Sequence, residues 1–293
     1  MNNIEFWKPK IITVLLAIAI IGGWHIATMQ PSFDRKDLTD DQLMVMEFNG
    51  DIVQDEQGNY SYNGDKGKGI PGPAAVLAKV QEEMSDPFHK KGTNDHGIGH
   101  LVWYTVFRFS IGFVAASVVA IFVGVIIGMS PLMFKALNPF LQLLKPISPL
   151  AWMPLLLYTV QKPTITAILV VFMASLWPTI ANTAFGISSI NKDFLRVSEM
   201  LEFGWFRRLF TVILPAAGPA IVAGLRISFS SALVAVIPAE MLLGELGIGY
   251  LTWIEWNNLD ISGVMFAIIV VGVVGFLMDA VMTIIAKKVS YAS

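Results

Sequence analysis

The sequence predicts an all-α, polytopic membrane protein with about six transmembrane helices and a small extracytoplasmic insertion. Three observations lead there. Of 293 residues, 55% are hydrophobic and only 14% are charged, against roughly a quarter charged in globular domains. The mean hydropathy is +0.63. Apolar runs of the roughly 20 residues needed to cross a hydrocarbon core of about 30 Å recur along the chain. The 20 Lys and Arg against 22 Asp and Glu leave a formal charge of −2, which lacks the basic footprint of a nucleic-acid binder. Lipid, not nucleic acid, is the expected surrounding. The absence of cysteine excludes a disulfide framework, a thiolate zinc site and a cysteine nucleophile.

The first span is Ile11 to Met29, within an N-terminal segment of residues 1–29. No small-x-small exit precedes Gln30-Pro31, so it reads as retained rather than cleaved. Residues 30–99 form the insertion, where turn signals at Phe48-Asn49-Gly50-Asp51 and Gln57-Gly58-Asn59 suit a small hairpin around Asp51 to Tyr62. From Pro73 the run AAVLAKVQEEM reads as a surface helix, ended by Asp86-Pro87. His100 to Met129 is the second span, longer than a crossing needs, with Trp103 and Tyr104 as interfacial anchors. The third, Ala136 to Val160, is interrupted by Pro139, Pro146, Pro149 and Pro154. Thr164 to Phe185, Leu214 to Leu243 and Ile261 to Ala286 complete a core of residues 100–288, followed by a tail, 289–293.

Basic residues in short loops mark the cytoplasmic side. Lys8, Lys10, Lys135, Lys192, Arg196, Arg207, Arg208, Lys287 and Lys288 fall on one side, whereas the opposite short loops hold only Lys162. Both termini are therefore expected in the cytoplasm, and residues 30–99 outside.

Ionisable residues inside spans are functional candidates, because an unpaired one costs at least about 2.5 kcal/mol at mid-membrane. Arg108, Lys145, Arg226, Glu240 and Asp279 are the set. Lys145 stands in the broken third span, where irregular backbone is tolerated beside protein or a water-filled cavity; it either lines an anion path or snorkels to an interface. Arg226 joins it as a path candidate or pairs structurally with an acid or a helix C-terminus. Glu240 is a further path candidate, several turns from Arg226, while Asp279 is expected to pair near the cytoplasmic end of the last span. Trp152 and Met153 read as gate packing or plain core. Gly244, Gly247 and Gly249 in GELGIGY follow a span rather than a strand, so they suit an outer turn of close backbone approach, not a dinucleotide fingerprint. His96 and His100 have the i,i+4 spacing of a metal pair, weakened by Gly97 and Gly99.

The cytoplasmic loop 188–213 is amphipathic. Leu195, Met200, Leu201 and Phe203 alternate with Asp193, Arg196, Glu199 and Glu202. Such a helix either docks a soluble partner or lies on the membrane surface. Here the sequence resembles a family. Ser198-Glu199-Met200, Gly204 and Ile213-Leu214-Pro215 are similar to the coupling-loop signature of the permease subunits of ATP-binding-cassette importers. GMSPLMFKALNPFLQLLKPISPLAWMPLLLY, SLWPTIANTAFGI, PAAGPAIVAGLRIS and AEMLLGELGIGYLTW resemble, in order, the permeases of nitrate, bicarbonate, cyanate, taurine and alkanesulfonate importers. The likeness spans about Pro71 to Lys288. The DPF of Asp86 to Phe88, the GIG of Gly97 to Gly99 and the PLAWMP run are most similar to the nitrate and bicarbonate branch.

The resemblance implies a type I importer permease bundle. It also implies a second permease copy, cytoplasmic ATPase subunits that hold ATP and magnesium, and an external substrate-binding protein. Ser198, Glu199, Met200, Gly204, Leu214 and Pro215 would carry the ATPase coupling, and the cargo would be a small oxyanion, nitrate first. No GxxxxGK[ST] phosphate loop occurs in the sequence, so no cofactor and no enzymatic activity are expected of this chain itself. The rival from another class is a self-sufficient proton-coupled carrier using Glu240 or Asp279.

Overall fold

The computed structural model describes residues 3–28, 38–49, 52–54, 60–62 and 70–290. The chain divides into two compact units, one of residues up to Pro87 with Ile254–Ile268, the other of Phe88–Trp253 with the residues from Ile269 on.

In the first unit, α1 (Asn3–Ala27) covers most of the expected first span, and its Trp24 indole donates to the Pro71 carbonyl at 3.1 Å. A short helix, α2 (Asp40–Phe48), was not expected from sequence; Thr39 and Gln42 form a capping box at its start. β1 (Ile52–Gln54) and β2 (Tyr60–Tyr62) pair antiparallel, Val53 opposite Ser61. This is the expected hairpin, although its turn residues lie outside those described. α3 (Pro73–Ser85) begins with proline in its first turn, as the sequence requires.

The second unit is built on α4 (Ile98–Met129), α7 (Pro163–Ser188) and α10 (Leu214–Leu243), which pack as a bundle. Inside lipid no hydrophobic gradient drives helices together, so small residues that admit close approach decide the contacts. On α4, Gly112, Ala116, Ala120, Gly124 and Gly128 recur every fourth residue and are buried. A methyl group added at Gly112 would strike Val171 and the Ile168 carbonyl, and at Gly128 Ile187 and the Ala184 carbonyl, all on α7. On the other side of α7, Gly186 abuts Ala220 and Gly224 abuts Asn182. Thr179 and Ser228 share a buried hydroxyl bond of 2.6 Å across α7 and α10. Phe109, Val170, Val171, Phe229 and Val236 centre one apolar cluster; Val125, Ile187, Leu209, Ile213 and Ile221 centre another.

The expected third span is not one straight helix. α5 (Pro131–Leu144) and α6 (Met153–Val160) are separated by a 3-10 turn at Pro149–Trp152, and the pair is bent by 86°. Pro146 and Pro149 cannot donate the backbone bonds that would continue α5, and Pro154 fits the first turn of a new helix. At about 21 Å and about 12 Å, neither piece crosses the membrane alone. Five described helices are long and apolar enough to do so, six if the bent pair counts as one.

α8 (Lys192–Met200) occupies the loop after α7. The fifth span starts earlier than Leu214: α9 (Trp205–Arg208) runs through a π-helical turn, Leu209–Ile213, into α10. Pro215 would clash with the carbonyl four residues back in a regular helix, and the widened turn relieves that conflict. α11 (Ile248–Asn257) and α12 (Ile261–Ser290) complete the chain.

Candidate functional site

α8 is capped at its start by Asn191, whose side-chain oxygen accepts from the Asp193 N–H at 3.0 Å. At its end Glu202 adopts a left-handed φ of 51°. The Glu202 N–H bonds to the Glu199 carbonyl at 3.0 Å and the Phe203 N–H to the Ser198 carbonyl at 3.1 Å, a paired termination that turns the chain sharply into Gly204, the N-cap of α9. Ser198 is buried, and its hydroxyl donates to the Leu195 carbonyl at 2.6 Å. Leu195 packs against the Val125, Ile187 and Ile213 cluster. Phe194, Val197, Met200 and Leu201 are exposed, Met200 to 83%. Glu199 reaches sideways to Arg208 at 3.0 Å. Between α8 and the start of the long helix lies a groove of about 580 Å³ lined by Phe194, Val197, Leu201, Thr211 and Pro215. Leu214 borders the same cluster. One side of the loop is thus packed into the ends of α4, α7 and α10, while Val197 and Met200 stay exposed.

At the far end of the bundle the structure joins charges that the sequence reading left apart. Arg108 on α4 and Glu240 on α10 form an ion pair, with Arg108 5% and Glu240 0% exposed. The other Arg108 nitrogen reaches Glu245 at 3.2 Å and the Leu246 carbonyl at 3.0 Å. Glu240 also accepts from the Thr105 hydroxyl at 2.9 Å and the Gly249 N–H at 3.1 Å, and Thr105 in turn accepts from the Ile248 N–H at 2.9 Å. Thr164 at the start of α7 donates to Glu245 at 3.0 Å. The first N–H groups of α11, orphaned by helix geometry, are therefore satisfied by this cluster. The GELGIGY glycines make it possible: a methyl at Gly247 would strike the Glu240 carboxylate, and one at Gly249 the Ile237 carbonyl. Glu240 stands in this network and not near Arg226.

The remaining candidates are dispersed. Lys145 is the exposed C-cap of α5 at the bend. Trp152 stands on the 3-10 turn with its indole nitrogen buried and, among the described residues, without a hydrogen-bond partner, and Met153 packs against the Phe109 cluster. Arg226 is exposed, donating to the Thr283 hydroxyl at 3.1 Å. Asp279 is exposed on α12. His96 and His100 are ring neighbours, 5.9 Å between centroids, and His100 donates to the Phe88 carbonyl at 3.1 Å. Among the described residues no three His, Asp or Glu side chains converge as a metal site.

In the first unit, Lys79 of α3 faces Asp260 at 3.3 Å, Glu83 at 3.4 Å and Glu82 at 3.6 Å. Burial alone would lower the Lys79 pKa, but the carboxylates of Glu255, Asp260 and Glu83 outweigh it and hold it above the usual range. Burial pushes Glu255 up to about 7, with Asp260 and Glu83 adding to the rise and Lys79 opposing it. Burial also works against the Asp260 charge, yet the Gly263 N–H and Lys79 together keep its pKa below the usual value.

Comparison with known proteins decides the family. Residues 97–291 match the model described as binding-protein-dependent transport system inner membrane component. The chain belongs to that family. It is a multi-pass inner-membrane permease of an importer of the ATP-binding-cassette type, a transport subunit that works with ATPase and substrate-binding partners. It is 38% identical over 214 residues to the nitrate import permease protein NrtB of Synechocystis sp., covering 73% of this chain and 78% of that protein. To the bicarbonate transport system permease protein CmpB of the same organism it is 34% identical over 224 residues, 75% of this chain and 80% of that one. A structure of the MetNI methionine ABC transporter in an inward-facing conformation aligns with a TM-score of 0.56 at 13% identity, covering 65% of this chain and 94% of that one. That likeness supports the type I permease fold.

Proposed function

We propose that this permease carries a small oxyanion inward, nitrate first, as the translocating subunit of an ATP-driven importer. Bringing a monovalent anion into an inside-negative cell costs about 2.3 kcal/mol per 100 mV before any concentration gradient, so the permease must be driven. The observation that carries the reading is the two-faced α8, with Leu195 and Ser198 keyed into the bundle and Val197 and Met200 exposed. Closure of an ATPase against that outer face would shift the ends of α7 and α10 together, biasing a two-state bundle. Ser198, Glu199, Met200, Gly204, Leu214 and Pro215 are the coupling residues in this scheme. Two permease copies pair, both termini face the cytoplasm, and ATP with magnesium is held by the ATPase subunits. Lys145, exposed at the 86° bend, is the cation assigned to the anion path.

Identity to a nitrate permease over most of the chain supports nitrate as cargo, and the bicarbonate permease supports the second reading. The test is uptake into proteoliposomes holding the permease with its ATPase and binding protein. Labelled nitrate should accumulate only with ATP and the binding protein, and bicarbonate should not compete. Accumulation of bicarbonate with nitrate excluded would reverse the assignment of cargo.

A further inference from the structure

We propose that the groove between α10 and α12 at the membrane edge nearer α8 is a binding site for the phosphodiester headgroup of an anionic phospholipid. The groove, about 300 Å³, is lined by Pro219, Val222, Ala223, Arg226, Thr283, Ala286 and Lys287. Its chemistry is divided. Arg226 stands level with Thr283, Lys287 lies one turn farther toward the α8 end, and Pro219, Val222, Ala223 and Ala286 make the apolar walls beside them.

Among the described residues no carboxylate forms an ion pair with either cation; the Arg226 guanidinium has the Thr283 hydroxyl as its partner, at 3.1 Å. Asp279 lies one turn before Thr283 on α12 but makes no ion pair with Arg226. The opposite end of the bundle provides the contrast, since Arg108 there is enclosed by Glu240 and Glu245. An exposed guanidinium with no acid beside it keeps its charge open to an anion from elsewhere.

Depth selects which anion. Arg226 lies about 26 Å along α10 from Leu243, close to the full thickness of a hydrocarbon core of about 30 Å. Lys287 is one turn beyond Thr283, farther in the same direction. Both cations therefore stand at headgroup level, where basic pockets between helices hold anionic lipid. A guanidinium fork and an ammonium suit a phosphodiester. The occupant is a lipid, not the transported oxyanion, because the two cations stand at headgroup level between apolar walls.

The test is native mass spectrometry of the full-length permease released from nanodiscs of phosphatidylglycerol or of phosphatidylcholine. The wild type should retain phosphatidylglycerol about tenfold over phosphatidylcholine. R226Q/K287Q should lose that preference, and R226K/K287R should largely keep it. A223W, which leaves both cations but fills the wall, should also lose it. Equal retention of the two lipids by the wild type overturns the proposal, as does undiminished preference in R226Q/K287Q. So does displacement of phosphatidylglycerol by millimolar nitrate, which would assign the groove to the anion path. Retention is read without ATP, ATPase or uptake, so the proposal and the cargo assignment fail separately.

Discussion

Replacing Arg108 with leucine tests the buried charge cluster most sharply. Glu240 has no solvent exposure, and without Arg108 it keeps only the Thr105 hydroxyl and the Gly249 N–H. Removing one partner of such a pair costs about 3–5 kcal/mol, because the other charge is left uncompensated. The double change Arg108→Leu with Glu240→Leu removes both charges and forfeits the bonds to Thr105 and Gly249, each worth about 1 kcal/mol. It should therefore cost less than Arg108→Leu alone. Unfolding in mixed micelles of dodecyl sulfate and a nonionic detergent, followed by tryptophan fluorescence, gives both values. A cost under about 1 kcal/mol for the single change, or a double change as costly as the two single changes combined, would show that Arg108 does not compensate a buried Glu240 charge.

Other consequences are as specific. Gly249→Ala drives a methyl into the Ile237 carbonyl and should destabilise by about 2 kcal/mol, whereas Gly218→Ala, with open space around it, should be neutral in the same assay. Glu202→Gly relieves the left-handed strain at the end of α8 and should stabilise by about 1 kcal/mol. In the Lys79 cluster, the raised Glu255 pKa contributes stability that is complete below the usual carboxylate range near 4 and is lost as pH rises through about 7. The lowered Asp260 pKa contributes the reverse, present above that range and lost as pH falls below it. Hydrogen exchange of α3 amides should thus be slowest near pH 4 and quicken as pH rises to about 7 once corrected for intrinsic rates, and Glu255→Gln should flatten the loss on the neutral side.

Much of this was legible in sequence because lipid imposes strict rules. The five long spans, the hairpin strands, the helix from Pro73 and the amphipathic α8 follow from apolar length, turn residues and period. The broken third span shows in its prolines, but not the 86° angle between its parts, which is set by packing against α7. The early start of the fifth span was hidden by Arg207 and Arg208, which read as loop until the π-helical turn joins them to α10. The Arg108–Glu240 pair joins residues far apart in sequence. A signal existed: each is a lone charge near the end of its span away from α8, of opposite sign. Matching charges by depth would have paired them, whereas considering Glu240 only against Arg226 did not. The fourfold small-residue stripe of α4 was likewise readable as a packing face. α2 carried no comparable pattern, since its nine residues are stabilised locally by their cap.

The most direct test of the central claim is ATP-dependent nitrate uptake by the reconstituted importer with Val197→Asp and Met200→Asp in α8. These exposed positions are not needed to fold the bundle, so the variant should insert normally yet lose ATP-dependent uptake at least tenfold, with its ATPase no longer stimulated by the loaded binding protein. Unchanged uptake in that variant, or nitrate accumulation by the permease alone under a pH gradient, would contradict the account.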